Sequence, residues 1–175
     1  MDGNAVDWFL DRHVRDGDGK RTACTDPWRD LTYAGLATET RRFAAALHRA
    51  GIERERRVAI LLLDTIDFPI AFWGCIRAGV IPVPINTLLT AETVAHILAD
   101  SRSEAVVGSV AVLSGLGAAL RDATGLRHIV VSQPDGSAPA RSDDPRQVGF
   151  ADFLAGTDPE TATVPASPDE TAFWL

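Results

Sequence analysis

Residues 57–86, RVAILLLDTIDFPIAFWGCIRAGVIPVPIN, constrain the chain more than any other stretch, because they read as strand, crossover helix and strand in one run. Residues 58–63 are uninterrupted apolar side chains bounded by charge, too short for a buried helix and suited to a strand covered on both faces. A helix must begin between Asp64 and Asp67, since Pro69 fits only in a first turn, where its missing N–H has no partner to lose. Phe68, Ile70, Phe72, Trp73, Cys75 and Ile76 spread apolar surface around most of that helix, so cover is expected on more than one side. Gly79 supplies the stop. Residues 80–85 are again extended, and Pro82 and Pro84, which cannot donate to a ladder, place them at a sheet edge or at strand ends. A unit of this length is expected to return parallel, with a right-handed crossover.

Such a unit needs a core, and 175 residues are enough to bury about 70% of the extended-chain surface. The 46% hydrophobic and 23% charged content exclude a disordered or membrane chain. A net charge of −7 leaves no basic footprint for nucleic acid or anionic lipid. Cys24 and Cys75 are far apart, with no CxxC and no secretory leader before them, so a reduced, cytoplasmic compartment is expected. No apolar run approaches the roughly 18 residues of a membrane span.

Before the central unit, Asn4 is placed to cap a first helix with Asp7 three residues on; Val6, Phe9, Leu10, His13 and Val14 form its apolar face, and Gly17 ends it. Residues 21–25 are a strand, and residues 26–30 supply a turn into a small hairpin that Leu31 continues. Thr32 reads as the N-cap of a long helix, with Leu31 and Leu36 stapled across it and Gly51 closing it. After Asn86, Thr90 caps a further helix with Glu92 in its first turn and Val94, Ile97, Leu98 and Ser101 on its buried face. Residues 105–108 are a third strand, 110–123 a third crossover helix and 128–132 a fourth strand. This alternation predicts an α/β fold, an open and mostly parallel sheet with helices on both faces. Residues 133–147 form a loop, 150–155 a helical turn and 157–170 a Pro- and Thr-rich connector without a core. Residues 171–175, TAFWL, begin a strand that stops in mid-run, which argues that a longer chain has been cut.

No chemistry is spelled out along this scaffold. Asp64 and Asp67 could be paired carboxylates for acid/base or metal work, but helix capping explains both. A dinucleotide site needs a glycine-rich turn after the first strand, and the acidic residues 64–67 stand there instead, which argues against a flavodoxin-like or Rossmann nucleotide site. His13, His48, His96 and His128 lie on separate elements with no metal-ligand spacing. Cys75 reads as a core residue. Ser109, Ser114, Gly115 and Gly117 form a cluster without a lysine, inside a helix, and read as packing. Arg54, Arg56 and Arg57 alternate with Glu53 and Glu55, so a locally balanced, solvated loop is expected. Catalytic, cofactor-binding and metal-binding residues are therefore expected to number none.

Two stretches carry a resemblance. Residues 31–36, LTYAGL, resemble the first core motif of the adenylate-forming superfamily, L-[ST]-Y-x-x-L, the acyl- and aryl-CoA synthetases and their relatives. Residues 76–86, IRAGVIPVPIN, resemble its second, in which an Ala-Gly pair ends a helix and a proline-containing strand follows. Within that superfamily, LDTIDFP at 63–69 followed by NTLLT at 86–90 is most similar to benzoate-CoA ligases.

The resemblance covers nearly the whole chain and implies an AMP-forming ligase. It would activate an aromatic carboxylic acid with Mg-ATP to an acyl-adenylate and transfer the acyl group to coenzyme A. ATP, Mg and CoA are thus implied for a parent enzyme and none for residues 1–175. The implied phosphate loop, acid pocket, ribose carboxylate and mobile-domain lysine all match positions beyond Leu175. Some CoA-forming relatives carry arginines after the second motif or at the segment matching 109–113; Leu88 and SVAVL stand there instead. The chain is therefore expected to be an amino-terminal α/β lobe, inactive alone and prone to self-association through its uncovered edge. The alternative is a free-standing, non-catalytic binding or regulatory module that kept the fold.

Overall fold

The structure is a computed structural model that describes residues 3–135 and 142–175; of the loop expected at 133–147, residues 136–141 lie outside the described residues. Asn4 opens the first helical turn, its Oδ1 accepting from Val6 N at 3.0 Å. That turn widens into a π-helical segment, Asp7–Asp11, before α1, Arg12–Arg15. The wider turn rotates the face expected from regular spacing, so Val6 and Leu10 are buried while Phe9 is 57% exposed. The hairpin follows as β1, Thr22–Thr25, antiparallel to β2, Asp30–Thr32. Thr32 caps α2, Tyr33–Arg49, by accepting from Gly35 N at 3.1 Å.

The central unit is β3, Arg57–Leu61; α3, Asp67–Arg77; and β4, Ile81–Pro84. α4, Ala91–Ser101, is capped by Thr90, and β5, Ala105–Ser109, follows. The single helix expected at 110–123 is broken into α5, Val110–Leu113, a 3-10 turn, Ser114–Leu116, and α6, Gly117–Asp122. Ser114 Oγ donates back to Ala111 O at 2.9 Å, Gly115 lies within the turn and Gly117 follows it, which together favour a break over a continuous ladder. β6 is His128–Ser132. A fifth strand, β7, Gln147–Gly149, begins at the last residue of the expected loop, where no strand was expected, and α7, Phe150–Leu154, succeeds it. β7 was illegible because three residues without apolar alternation carry no strand period; pairing with β6 defines it.

The sheet order is β4-β3-β5-β6-β7 and every pair is parallel. Alternate side chains feed two cores. Val58, Ile60, Leu62, Val107 and Val130 pack under α2, α3 and α7 with Phe43, Leu47, Ile70 and Phe150. Ala59, Leu61, Val106, Ile129 and Val131 pack under α4 and α6 with Val94, Leu98 and Leu120. β3 is thus buried on both faces, as the apolar run requires. β4 is the edge: Ile81 N donates to Arg56 O at 2.8 Å and Ile85 N to Ile60 O at 2.9 Å, so the alternating Pro82 and Pro84 turn their missing donors outward.

Gly51 and Gly79, both at φ of 70°, end α2 and α3 with the same closure. Ile52 N bonds Leu47 O at 3.0 Å and Val80 N bonds Cys75 O at 2.9 Å, satisfying carbonyls that the helices leave open. Residues 171–175 do not form the expected strand; among the described residues, their backbone is bonded only from Trp174 N to Pro82 O at 3.1 Å.

A cation lies deep inside the apolar layer. Arg77 is fully buried, and its guanidinium donates to Asp11 Oδ1 at 2.7 Å and Oδ2 at 3.0 Å, to Thr40 Oγ1 at 3.2 Å and to Thr163 Oγ1. Breaking a buried pair strands the remaining charge, so Asp11→Ala is expected to cost about 3–5 kcal/mol in urea unfolding, most of it recovered in the Asp11→Leu/Arg77→Met double variant. α2 and α3 approach closely at Gly74, where an added Cβ would sit 2.7 Å from Phe43 Cβ. That atom cannot swing aside, so overpacking of about 1–3 kcal/mol exceeds the ~1 kcal/mol that alanine gains in a helix. Gly74→Ala is expected to lower the urea midpoint rather than raise it.

Candidate functional site

Ligands of open parallel sheets sit where neighbouring strands send their connections to opposite faces, outside the carboxyl ends of the strands. Here that place is between β3 and β5: β3 leads to α3 on one face and β5 to α5 and α6 on the other. β3 ends two residues sooner than the apolar run, and the chain turns so that Leu63 N donates to Ser109 Oγ at 3.0 Å, bridging the crevice. The rim around it is apolar, with Leu63 and Leu89 exposed there. Among the described residues, nothing in this crevice offers the glycine-rich amide cradle or the cation that a phosphate needs.

A second cleft, of ≈ 550 Å³, opens at the carboxyl ends of β6 and β7. Arg29, Glu39, Arg42, Asp67 and Asp152 line it together with Ile70 and Phe150. Asp67 does not cap α3 as expected: Ile66 occupies the cap position and no side chain caps the helix. The Asp67 carboxylate is buried, accepting from Ser132 Oγ at 2.7 Å on Oδ2 and pairing with Arg29 on Oδ1. Packing of α3 against the end of β6 makes this arrangement, which no sequence spacing encodes. Both carboxylate oxygens are engaged and the serine proton is committed to one of them, so the trio holds the hairpin, α3 and β6 together and leaves neither base nor nucleophile free.

Asp26 ties the same hairpin to the same helix. Its Oδ1 accepts from Trp28 N and Arg29 N, each at 2.9 Å, and its Oδ2 from Ile66 N at 2.9 Å. Burial pushes this carboxyl up, but the three amide donors and the Arg29 charge outweigh burial and hold it below the usual carboxylate range.

The remaining candidates disperse. Asp64 is exposed. His13 stacks on Tyr33 with ring centroids 4.3 Å apart, His128 Nε2 meets Ala50 O at 3.2 Å, and His48 and His96 are exposed. Cys75 is buried and its thiol is driven far up by desolvation, in keeping with a core residue. Gly115 has open space where a Cβ would be, so the Ser/Gly cluster breaks a helix instead of serving packing. Arg54, Arg56 and Arg57 are not balanced by their neighbouring glutamates: Arg54 pairs with Glu170, Arg56 Nε lies 3.3 Å from Glu104 Oε1, and Arg57 Nε donates to Ser101 O at 2.6 Å. Each reaches a remote partner because the fold brings one within range. Among the described residues no group of three His, Cys, Asp or Glu could hold a metal ion, and no helix is long and apolar enough to cross a membrane.

Residues 10–175 match the family described as AMP-binding enzyme. The chain is 40% identical over 173 residues to a 4-hydroxybenzoate-CoA/benzoate-CoA ligase of Rhodopseudomonas palustris, covering 99% of this chain and 31% of that protein. It is 33% identical over 173 residues to a benzoate-CoA ligase of Thauera aromatica, again covering 98% of this chain and 31% of the relative. The crystal structure of a benzoate CoA ligase from Burkholderia xenovorans superposes with a TM-score of 0.84 at 32% identity, over 98% of this chain and 32% of that one. The chain thus spans about a third of the length of the curated relatives it matches.

Because the Asp26 carboxyl is held low in the folded state, its contribution to stability is present above the ordinary carboxylate pKa of about 3.9 and is lost as pH falls through the folded value. Unfolding midpoints in urea at about pH 6 and about pH 3 are expected to differ less in Asp26→Asn than in the unaltered chain.

Proposed function

Since the chain belongs to the AMP-binding enzyme family, we propose that it is the amino-terminal α/β lobe of an ATP-dependent ligase that joins an aromatic carboxylic acid, benzoate or a hydroxybenzoate, to coenzyme A. The observation that supports this reading is an alignment along nearly the whole chain, in sequence and in fold, with ligases of that acid class. In such a reaction the carboxylate attacks the α-phosphorus of ATP, pyrophosphate leaves, and the CoA thiol then displaces AMP from the acyl-adenylate.

The described residues of this lobe do not fit ATP or Mg. The turn after β3 is acidic, the Arg29 charge is spent on Asp67, and the only lysine, Lys20, lies before the hairpin. No step is therefore assigned to a residue here. The lobe's part is to hold a rigid parallel sheet against which the reacting groups of a longer chain are placed, since adenylate transfer depends on positioned charge.

Two measurements test the proposal. The 175-residue chain is expected to give no benzoate-dependent exchange of labelled pyrophosphate into ATP. The product of the full reading frame is expected to give it, with benzoate or hydroxybenzoate favoured over aliphatic acids. Exchange by the lobe alone would refute the assignment of all chemistry to other residues. A reading frame that closes at the Leu175 codon, with no exchange, would favour a non-catalytic module.

A further inference from the structure

Residues 157–170 form neither helix nor strand, yet side chains from three distant elements hold them. Val164 N donates to Arg77 O at 2.8 Å. The buried Asn4 amide donates to Val164 O at 3.0 Å and to Ile76 O at 2.7 Å, so one side chain joins the amino-terminal turn, the end of α3 and the connector. Thr163 Oγ1 accepts from Arg77, and the Val164 side chain fills the space beside Gly79, 3.1 Å from where a Cβ would stand. Further on, Ser167 N donates to Glu170 Oε1 at 3.0 Å and Arg54 grips the other carboxylate oxygen. Past this point Trp174 N reaches Pro82 O at 3.1 Å, the Arg57 guanidinium lies 5.6 Å from the Trp174 ring, and Phe173 meets Phe72 at 5.5 Å.

The outer edge of β4 explains why side chains are needed. Pro82 and Pro84 leave it with carbonyl acceptors and no donors, so an ordinary ladder cannot form along it. Cover for that edge has to be held from elsewhere. We propose that Asn4 and Arg54 are the two jaws of a clasp that lays residues 163–174 over the β4 edge, and that the amino-terminal turn thereby controls whether the edge is covered. This holds whichever reaction the lobe serves.

Amide hydrogen exchange of the 175-residue chain, read by NMR, tests the clasp at named positions. Asn4→Ala is expected to speed exchange at Val164 and at Trp174 by at least about tenfold, with Val107 in the buried β5 unchanged. Arg54→Ala is expected to speed Trp174, again with Val107 unchanged. Arg21→Ala, which breaks an exposed pair with Asp18, is expected to change none of the three. Should Asn4→Ala raise all amides together, Arg54→Ala decides, because the pair it removes lies at the surface. A Trp174 amide indifferent to Arg54→Ala, or a Val164 amide released by Asn4→Ala without Trp174, overturns the proposal.

Discussion

A strand whose consecutive side chains are all apolar has to be covered twice, and the architecture follows from meeting that demand around β3. α2, α3 and α7 lie over Val58, Ile60 and Leu62, while α4 and α6 lie over Ala59 and Leu61. Each residue of β3 removed from water contributes on the order of 1.5–3 kcal/mol when its side chain is Val, Leu or Ile. The strand therefore sits inside the sheet, with β4 and β5 as neighbours. Proline settles which neighbour ends the sheet: Pro82 and Pro84 turn outward together because they are two residues apart, the period of a strand.

Covering β3 brings the Arg77 cation indoors. Arg77 belongs to the last turn of α3, which must pack closely to seal the strand, and the same packing denies its guanidinium solvent. Asp11, Thr40 and Thr163 come from three other parts of the chain to meet it. A buried ion pair of this kind adds little net stability over an apolar substitute but penalises any arrangement that separates the partners. The amino-terminal turn and the connector are consequently tied to α3, and through α3 to the central sheet.

At the carboxyl ends of the strands, four polar side chains are likewise committed to partners inside the fold. Ser109, Asp67, Ser132 and Arg29, polar side chains at or beside these strand ends, bond one another or the backbone. Satisfied polar groups make a stiff rim. Beside it, Leu63 and Leu89 leave an exposed apolar surface at the switch between β3 and β5.

The β3-α3-β4 unit, the hairpin, the Thr32 and Thr90 caps, the glycine stops after α2 and α3, the edge position of β4 and the family itself were all legible in the residues, because each depends on side chains near one another in sequence. The π-helical turn that exposes Phe9, the break between α5 and α6, and β7 were not, since competition between local bonds or a partner strand decides them. The same division holds for the polar groups. Asp67 read as a cap and became a buried link to Ser132 and Arg29, and the loop arginines read as locally balanced and found Glu104, Glu170 and the carbonyl of Ser101. A charge takes the partner that is near in space with the least water between them, and only the folded chain fixes that distance; apolar periodicity and backbone stops act within a few residues, so the sequence alone determines them.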